Sequence, residues 1–332
     1  MKISIITVCY NSHATLATAI ESVLSQTYPD IEHIVVDGGS KDGTVEIIRK
    51  YAESSSKVLK FESSKVLKCE QEKSQQVDKL NQKNFSTLAL SNFRTEFNWI
   101  SEPDEGMYDA INKGIRMATG DVIGILNADD FLADDGVIEG VANAFLSAEN
   151  AKIDVVYGDI RFVKECVNSR MRECANEVSS QASTNELTNY RTNELASLRS
   201  AKTLRYYSAK RWRPWMLQWG YMPPHPGVYI RRELFERWGN YKLGYHIAAD
   251  YELLIRFLRK EGLIMRYLEA CIVGMRPGGK STKSWRSNVL LNQEIVRGNR
   301  ENRYFCCFPM LLPKYMFKIF EFIIPWLKSK SN

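Results

Sequence analysis

No two of the seven cysteines form a C-x-x-C pair: Cys9, Cys69, Cys166, Cys174, Cys271, Cys306 and Cys307 are scattered and odd in number. That argues against a disulfide framework and a zinc site, and for a reducing compartment. An uninterrupted apolar run of membrane-spanning length is also missing. The least polar stretch, Tyr304–Leu327, is broken by Lys314, Lys318 and Glu321 and by Pro309, Pro313 and Pro325. The opening run Met1–Val8 is too short for a signal peptide and reads as a buried strand, so a cytoplasmic location is expected. The loop after that strand, Cys9-Tyr10-Asn11-Ser12-His13, has no G-x-G-x-x-G, which excludes a dinucleotide-binding dehydrogenase of Rossmann type. Nor does it hold the Gly-rich phosphate grip that a sugar-phosphate nucleotidyltransferase would need there.

What remains is ordinary globular composition in 332 residues, 44% hydrophobic and 25% charged. The net charge of +6 hides an asymmetry. Residues 199–332 carry 25 Lys and Arg against 9 Asp and Glu, whereas residues 1–198 carry 20 against 30. An acidic half that holds a cation and a basic half that faces anions would suit an enzyme of activated phosphates; solvated basic faces are the plainer alternative.

Short apolar runs alternate with helical patterns. Strands are predicted at Ile3–Val8, Ile31–Val36, Trp99–Ser101, Val122–Leu126 and Ile153–Tyr157. Helices are predicted at about Thr15–Gln26, Thr44–Tyr51, Met107–Ala118 and Gly136–Leu146. This alternation predicts an α/β fold with a Rossmann-like mixed, mostly parallel sheet and helices on both faces. Two polar tracts, about 53–96 and 164–202, break it. Each contains an eight-residue repeat: Ser55–Lys60 recurs as Ser63–Lys68, and Thr184–Leu187 as Thr192–Leu195. They read as surface insertions that lengthen loops without adding core. Residues 1–283 are thus expected to form one domain and 284–332 a C-terminal helical tail. On a helix from Lys314, a stripe of Lys314, Lys318, Glu321, Pro325 and Lys328 borders an otherwise apolar surface. Such a helix suits a membrane interface, or else docks on the core or on a second subunit.

Acidic clusters follow two of the strands: Asp37 to Thr44, and Asn127-Ala128-Asp129-Asp130. Groups beyond strand carboxyl ends converge on one crevice in an open α/β sheet. Carboxylates repel phosphates but bind the hard cations that bridge to them, and they accept hydrogen bonds from ribose or base. The pairing points to a metal–nucleotide site.

Several motifs in order then carry a resemblance: Ser4–Asn11, Glu21–Tyr28, Asp37–Thr44, Ser101–Ala110, Asn112-Lys113-Gly114 and Ala118–Asp121. Together they resemble family-2 glycosyltransferases of the GT-A fold, with matching segments to about Gly279. The resemblance implies transfer of a sugar from a nucleotide diphosphate donor to an acceptor hydroxyl, with inversion. It implies a donor site involving Thr7, Tyr10, Asn11, Asp37, Asp104, Asn112 and Asp129. Asn127-Ala128-Asp129 is similar to the family's Asp-x-Asp motif, making Asp129 and Asp130 the metal candidates for Mg2+ or Mn2+. The segment His246–Leu254 resembles the one that carries the family's base; Asp250 is the candidate, or else an N-cap of the helix Tyr251–Lys260, with Glu252 as its fallback. His225, in Pro224-His225-Pro226-Gly227, is a pocket-lining candidate. Arg276 and Lys280 belong to a segment resembling a mobile Gly-Gly loop whose cations would reach the diphosphate. Trp212, Trp215, Trp219 and Tyr221 would stack on sugars, meet a membrane, or simply pack. The expected partners are a nucleotide sugar, a saccharide or lipid-linked acceptor and the inner face of the cell membrane, with no nucleic acid. A degenerate, non-catalytic sugar-binding or scaffold protein is the alternative from another class.

Overall fold

The computed structural model describes residues 1–54, 95–147, 151–164, 194–277 and 285–313. The first repeat, most of the second insertion, Lys280 and the tail beyond residue 313 lie outside the described residues.

Strands β1 (Ile3–Cys9) and β2 (Ile31–Asp37) are buried at every residue, as befits central parallel strands covered on both faces. With β3 (Glu96–Ser101) and β4 (Val122–Asn127) they form a parallel unit in the order β3-β2-β1-β4. Beyond β4 the sheet, nine-stranded among the described residues, turns mixed. Strand β8 (Val228–Arg231) pairs antiparallel with β4 and with β6 (Val155–Val163), and β6 runs parallel to β9 (Met265–Met275). Strand β9 then takes the short β5 (Asp130–Leu132) antiparallel, and β7 (Thr203–Tyr207) pairs with β6.

Side-chain alternation sorts the core. Ile6, Val8, Ile34 and Val36 face α3 (Met107–Met117) and the later helices, while Ile3, Ile5 and Val35 face the other side. There lie α1 (Leu16–Leu24), α2 (residues 44–54) and α4 (Val137–Leu146). Helix α3 sits so close to β1 that a Cβ on Gly114 would come within 2.4 Å of Ile6 Cγ2. The C-terminal half adds α6 (Arg232–Trp238), α7 (Ala249–Leu258) and α8 (Trp285–Glu301) to the α3 side. The expected α/β fold with helices on both faces is what the chain adopts.

One expectation fails. The second insertion does add core at its C-terminal end, where residues 194–200 form α5 and bury Leu195, Leu198 and Ala201 against Phe131 and Val163. Its polar composition hides an amphipathic helix too short to show a period in sequence. Among the described residues no helix is long and apolar enough to cross a membrane.

Candidate active site

In an open α/β sheet the ligand crevice lies beyond the strand carboxyl ends, here those of the parallel strands β1 to β4. Asp37 closes β2, and its side chain is fully buried. Its Oδ2 accepts hydrogen bonds from the Gly39 N–H (3.1 Å), the Ser40 N–H (3.0 Å) and the Ser101 hydroxyl (2.7 Å), while Ser40 Oγ donates to Oδ1. The carboxylate thus builds the turn after β2, with Gly39 at the positive φ that turn needs. Asp104, after β3, overhangs that turn: a Cβ on Gly38 would stand 2.3 Å from Asp104 Oδ2, so no other residue fits there unchanged. The other Asp104 oxygen accepts the Gly106 N–H at 2.8 Å.

The loop after β1 is laced to the one after β2. Asn11, left-handed at φ 49°, accepts the Lys41 N–H at 3.0 Å and donates its own N–H to Ser40 Oγ at 2.7 Å. Tyr10 beside it is 64% exposed at the mouth of the crevice. Two donor-side candidates are drawn into the scaffold instead. Thr7 is buried in β1 with its hydroxyl 2.9 Å from His33 Nε2. Asn112 is buried in α3, where its amide donates to the Tyr241 carbonyl (2.8 Å) and accepts the Tyr241 N–H (2.9 Å).

At the end of β4, Asp129 is exposed and Asp130 is buried at 1% exposure. Asn127 donates to Asp130 Oδ2 at 2.9 Å, and Asp130 Oδ1 has no hydrogen-bond partner among the described residues. Burial, with the adjacent Asp129 charge, pushes the Asp130 carboxyl well above the usual carboxylate range, against the pull of Asn127 and Arg276. Arg276 is not on a free loop. It is 7% exposed just past β9, donating to the Asp129 carbonyl (2.9 Å), to Thr18 Oγ1 (3.3 Å) and to Glu194 of α5 (3.3 Å). Its guanidinium therefore fixes the backbone that presents Asp129.

Asp250 lies in the first turn of α7 and is half-buried. It is not the N-cap, which is Ala248. Its Oδ1 accepts the Tyr251 N–H at 2.8 Å and lies 3.5 Å from the hydroxyl of Tyr108, in the first turn of α3. Burial raises its pKa; His225, the Tyr251 N–H and the Tyr108 hydroxyl oppose that shift. His225 is tied to the Tyr241 hydroxyl at 2.6 Å, and burial holds its pKa below the ordinary histidine value against the pull of the Asp250 charge. Tyr241 stacks on Tyr108 with ring centroids 5.8 Å apart. Glu252 lies elsewhere: fully buried, it pairs with Lys242 (2.8 Å) and Arg256 (3.0 Å) and accepts from Asn302 (3.0 Å). That network spends both of its oxygens.

Glu294 of α8 is a site residue that nothing in the sequence singles out. Its buried carboxylate accepts the N–H groups of His246 (2.7 Å), Ile247 (2.9 Å) and Ala248 (2.8 Å). The segment leading into Asp250 is thus wrapped around an anion supplied from 46 to 48 residues away.

With this geometry in place, comparison with known proteins is decisive for the family. The profile of "Glycosyl transferase family 2" matches residues 4–73 and 89–235, well over half of the chain. The chain belongs to glycosyltransferase family 2. Among curated relatives, a PGL/p-HBAD biosynthesis glycosyltransferase of Mycobacterium bovis is 25% identical over 294 residues, which are 89% of this chain and 82% of that one. Among solved structures, the 1–349 fragment of Staphylococcus aureus TarS aligns with TM-score 0.51 at 14% identity, covering 90% of this chain and 65% of that chain. The chain therefore spans just under two thirds of that fragment. The mannosyltransferase PcManGT of Pyrobaculum calidifontis, solved in complex with GDP-Man and Mn2+, aligns with TM-score 0.51 at 18% identity, covering 94% and 67%. At these identities the structural matches establish the GT-A-type fold of this family-2 member.

Proposed function

We propose that this family-2 glycosyltransferase moves a sugar from a nucleoside diphosphate donor to an acceptor hydroxyl with inversion. Two acids support the reading: Asp129, exposed just past β4 on backbone that Arg276 fixes, and Asp250, half-buried beside Tyr108 in the first turn of α3. The nucleotide lies along the laced loops, against Tyr10, Asn11 and Asp104, on the turn that the fully buried Asp37 carboxylate builds rather than against Asp37 itself. The PcManGT complex with GDP-Man, and a TarS complex with UDP-GlcNAc, support a nucleotide-sugar donor.

The acids just past β4 fit a divalent ion. Among the described residues no group of three or more potential ligands converges, but Mg2+ is commonly held by one or two carboxylates with substrate phosphates completing its shell. Asp129 would be the main ligand, and the unpartnered Asp130 Oδ1 faces a cost that a nearby cation would relieve. When bound, Mg2+ or Mn2+ supplies charge neutralisation for the departing diphosphate. The chain's own residues do the rest. The acceptor oxygen attacks the anomeric carbon and gives its proton to Asp250. The bond from that carbon to the diphosphate oxygen breaks, and its electron pair leaves with the nucleoside diphosphate. One attack from the face opposite the leaving group inverts the centre.

The acceptor is a lipid-linked saccharide of surface polysaccharide synthesis, and the enzyme is peripheral at the inner face of the cell membrane. The apolar stretch toward residue 327 with its lysines supports this. The test is transfer from a panel of UDP- and GDP-sugars with Mn2+. Transfer that stops in excess EDTA and in Asp129→Ala, with an unchanged melting temperature, is the expected result. Transfer at the parent rate in EDTA would overturn the metal-dependent part, and no transfer or donor hydrolysis from any sugar would favour the non-catalytic alternative.

A further inference from the structure

Two short 3-10 turns lie side by side on the α7 flank of the molecule: η1 (Pro214–Trp219) and η3 (Phe308–Leu311). Gln218 of η1 ties them by donating to the Phe305 carbonyl at 2.6 Å. Each is anchored by apolar side chains turned inward, Leu217 at 0% and Cys306 and Leu311 at 2% and 1% exposure. What they turn outward is equally apolar: Trp215 is 59% exposed, Trp219 38%, Phe305 73%, Phe308 51% and Leu312 62%. Single exposed apolar residues are ordinary, but five large ones on η1 and on segment 305–312, which Gln218 ties to it, form a patch that water does not favour. Trp212, by contrast, is buried and donates to the Tyr221 carbonyl, so the sequence cluster of tryptophans splits between core and surface.

We infer that this patch is the face that docks on an anionic lipid bilayer, and that it sets the acceptor class of the enzyme. Charge supports that occupant. Residues 208–221 include Lys210, Arg211 and Arg213 and no acid, and residues 302–313 include Arg303 and no acid. Lys210 pairs with Glu269, while Arg211, Arg213 and Arg303 are exposed beside the patch. From Pro313 the chain continues into a sequence with Lys314, Lys318, Lys328 and Lys330 against Glu321 alone. Tryptophan and phenylalanine with flanking arginine are the side chains that settle at the headgroup boundary.

The patch is coupled to the site. Tyr251, next to Asp250, donates its hydroxyl to the Leu217 carbonyl in the middle of η1 and accepts the Asn299 amide at 2.7 Å. Docking through η1 and η3 therefore places the first turn of α7, with Asp250, close above the headgroups. An acceptor whose hydroxyl sits at the membrane surface reaches it there, whereas a free sugar gains nothing from docking. The inference rests on the proposed transfer for its acceptor, but its assay needs no donor.

The experiment uses the full-length chain with phosphatidylcholine vesicles, with and without phosphatidylglycerol, some carrying brominated acyl chains. The expected results are flotation with the phosphatidylglycerol vesicles and quenching of tryptophan emission by the brominated ones. The double variant Trp215→Ser/Trp219→Ser should lose affinity about tenfold or more and most of the quenching. Phe305→Ser/Phe308→Ser should do the same, both with parent melting temperature and parent nucleotide binding. Vesicle binding unchanged in both variants, or absent in the parent, overturns the inference. So does a dimer in sedimentation that the same substitutions dissolve without any vesicle binding, which would assign the patch to a second copy. Docking without sugar transfer would sink the proposed transfer and leave the docking face standing; transfer without docking would sink this inference, and the membrane placement with it, and leave the transfer standing.

Discussion

Asp250 and Glu252 stand two residues apart on α7, about 200° around the helix, and that rotation separates their chemistry. Glu252 turns into a cage of Lys242, Arg256 and Asn302, whereas Asp250 turns toward Tyr108 and His225. As a base, Asp250 works only when ionised. Burial raises its pKa, so the acid limb of kcat/KM should lie above the ordinary carboxylate range, with activity lost as pH falls through it. Asp250→Asn should cut turnover by about two to four orders of magnitude and abolish that limb while donor affinity, measured by titration calorimetry, survives. Equal loss of donor affinity and turnover would show that Asp250 is structural.

Among elements, α8 is the one whose role exceeds its position. It is mostly polar, and it packs on α7 with few fully buried apolar residues, Ile295 and Val296 among them. Its contribution is the Glu294 carboxylate seated in three consecutive N–H groups before α7. Removing the carboxylate leaves those donors unpaired, the Ala248 N–H buried and the other two part-buried, and a buried unsatisfied group costs about 1–3 kcal/mol before relaxation. Glu294→Ala should therefore lower stability and reduce kcat at least tenfold, with donor affinity little changed. Glu294→Gln, which keeps one acceptor oxygen, should recover part of both in a paired thermal-melt and kinetic measurement. Helix α5 acts in the same way near the end of β4, because its Glu194 meets Arg276, which holds the Asp129 carbonyl.

For the molecule as a whole, His33 makes folding pH-dependent. It is fully buried in β2, bonded to Thr7 on β1 and edge-on to Phe97 of β3. Burial lowers its pKa to about 3. Between that value and the unfolded histidine value near 6.5, the unfolded chain binds a proton that the native state refuses, so stability falls as pH drops through this window. Urea midpoints should decline from pH 7 to pH 4 by the equivalent of a few kcal/mol, and His33→Gln should flatten that slope. His225, also lowered by burial, adds in the same direction, while Asp250, whose pKa is raised, opposes it by binding its proton more tightly when folded. A slope unchanged in His33→Gln would place the acid sensitivity in the carboxylates.

The alternation of strands and helices was legible in the sequence because period-2 and period-3.6 apolar patterns and turn residues are local signals. So were the places where acids cluster, since Asp37 and Asp129 follow apolar runs directly, and the motifs around them carried the family resemblance. Only the tertiary structure decided what each polar group does. Asp37 accepts from Ser101, 64 residues away; Thr7 meets His33; Asn112 pins Tyr241 across 129 residues; and Arg276 grips a carbonyl 147 residues before it. Glu294 and α5 carried no sequence signal because their partners are remote. A side chain's identity sets what it can bond, but its burial and its partner, which determine its charge and its freedom, come from packing between segments far apart in the chain.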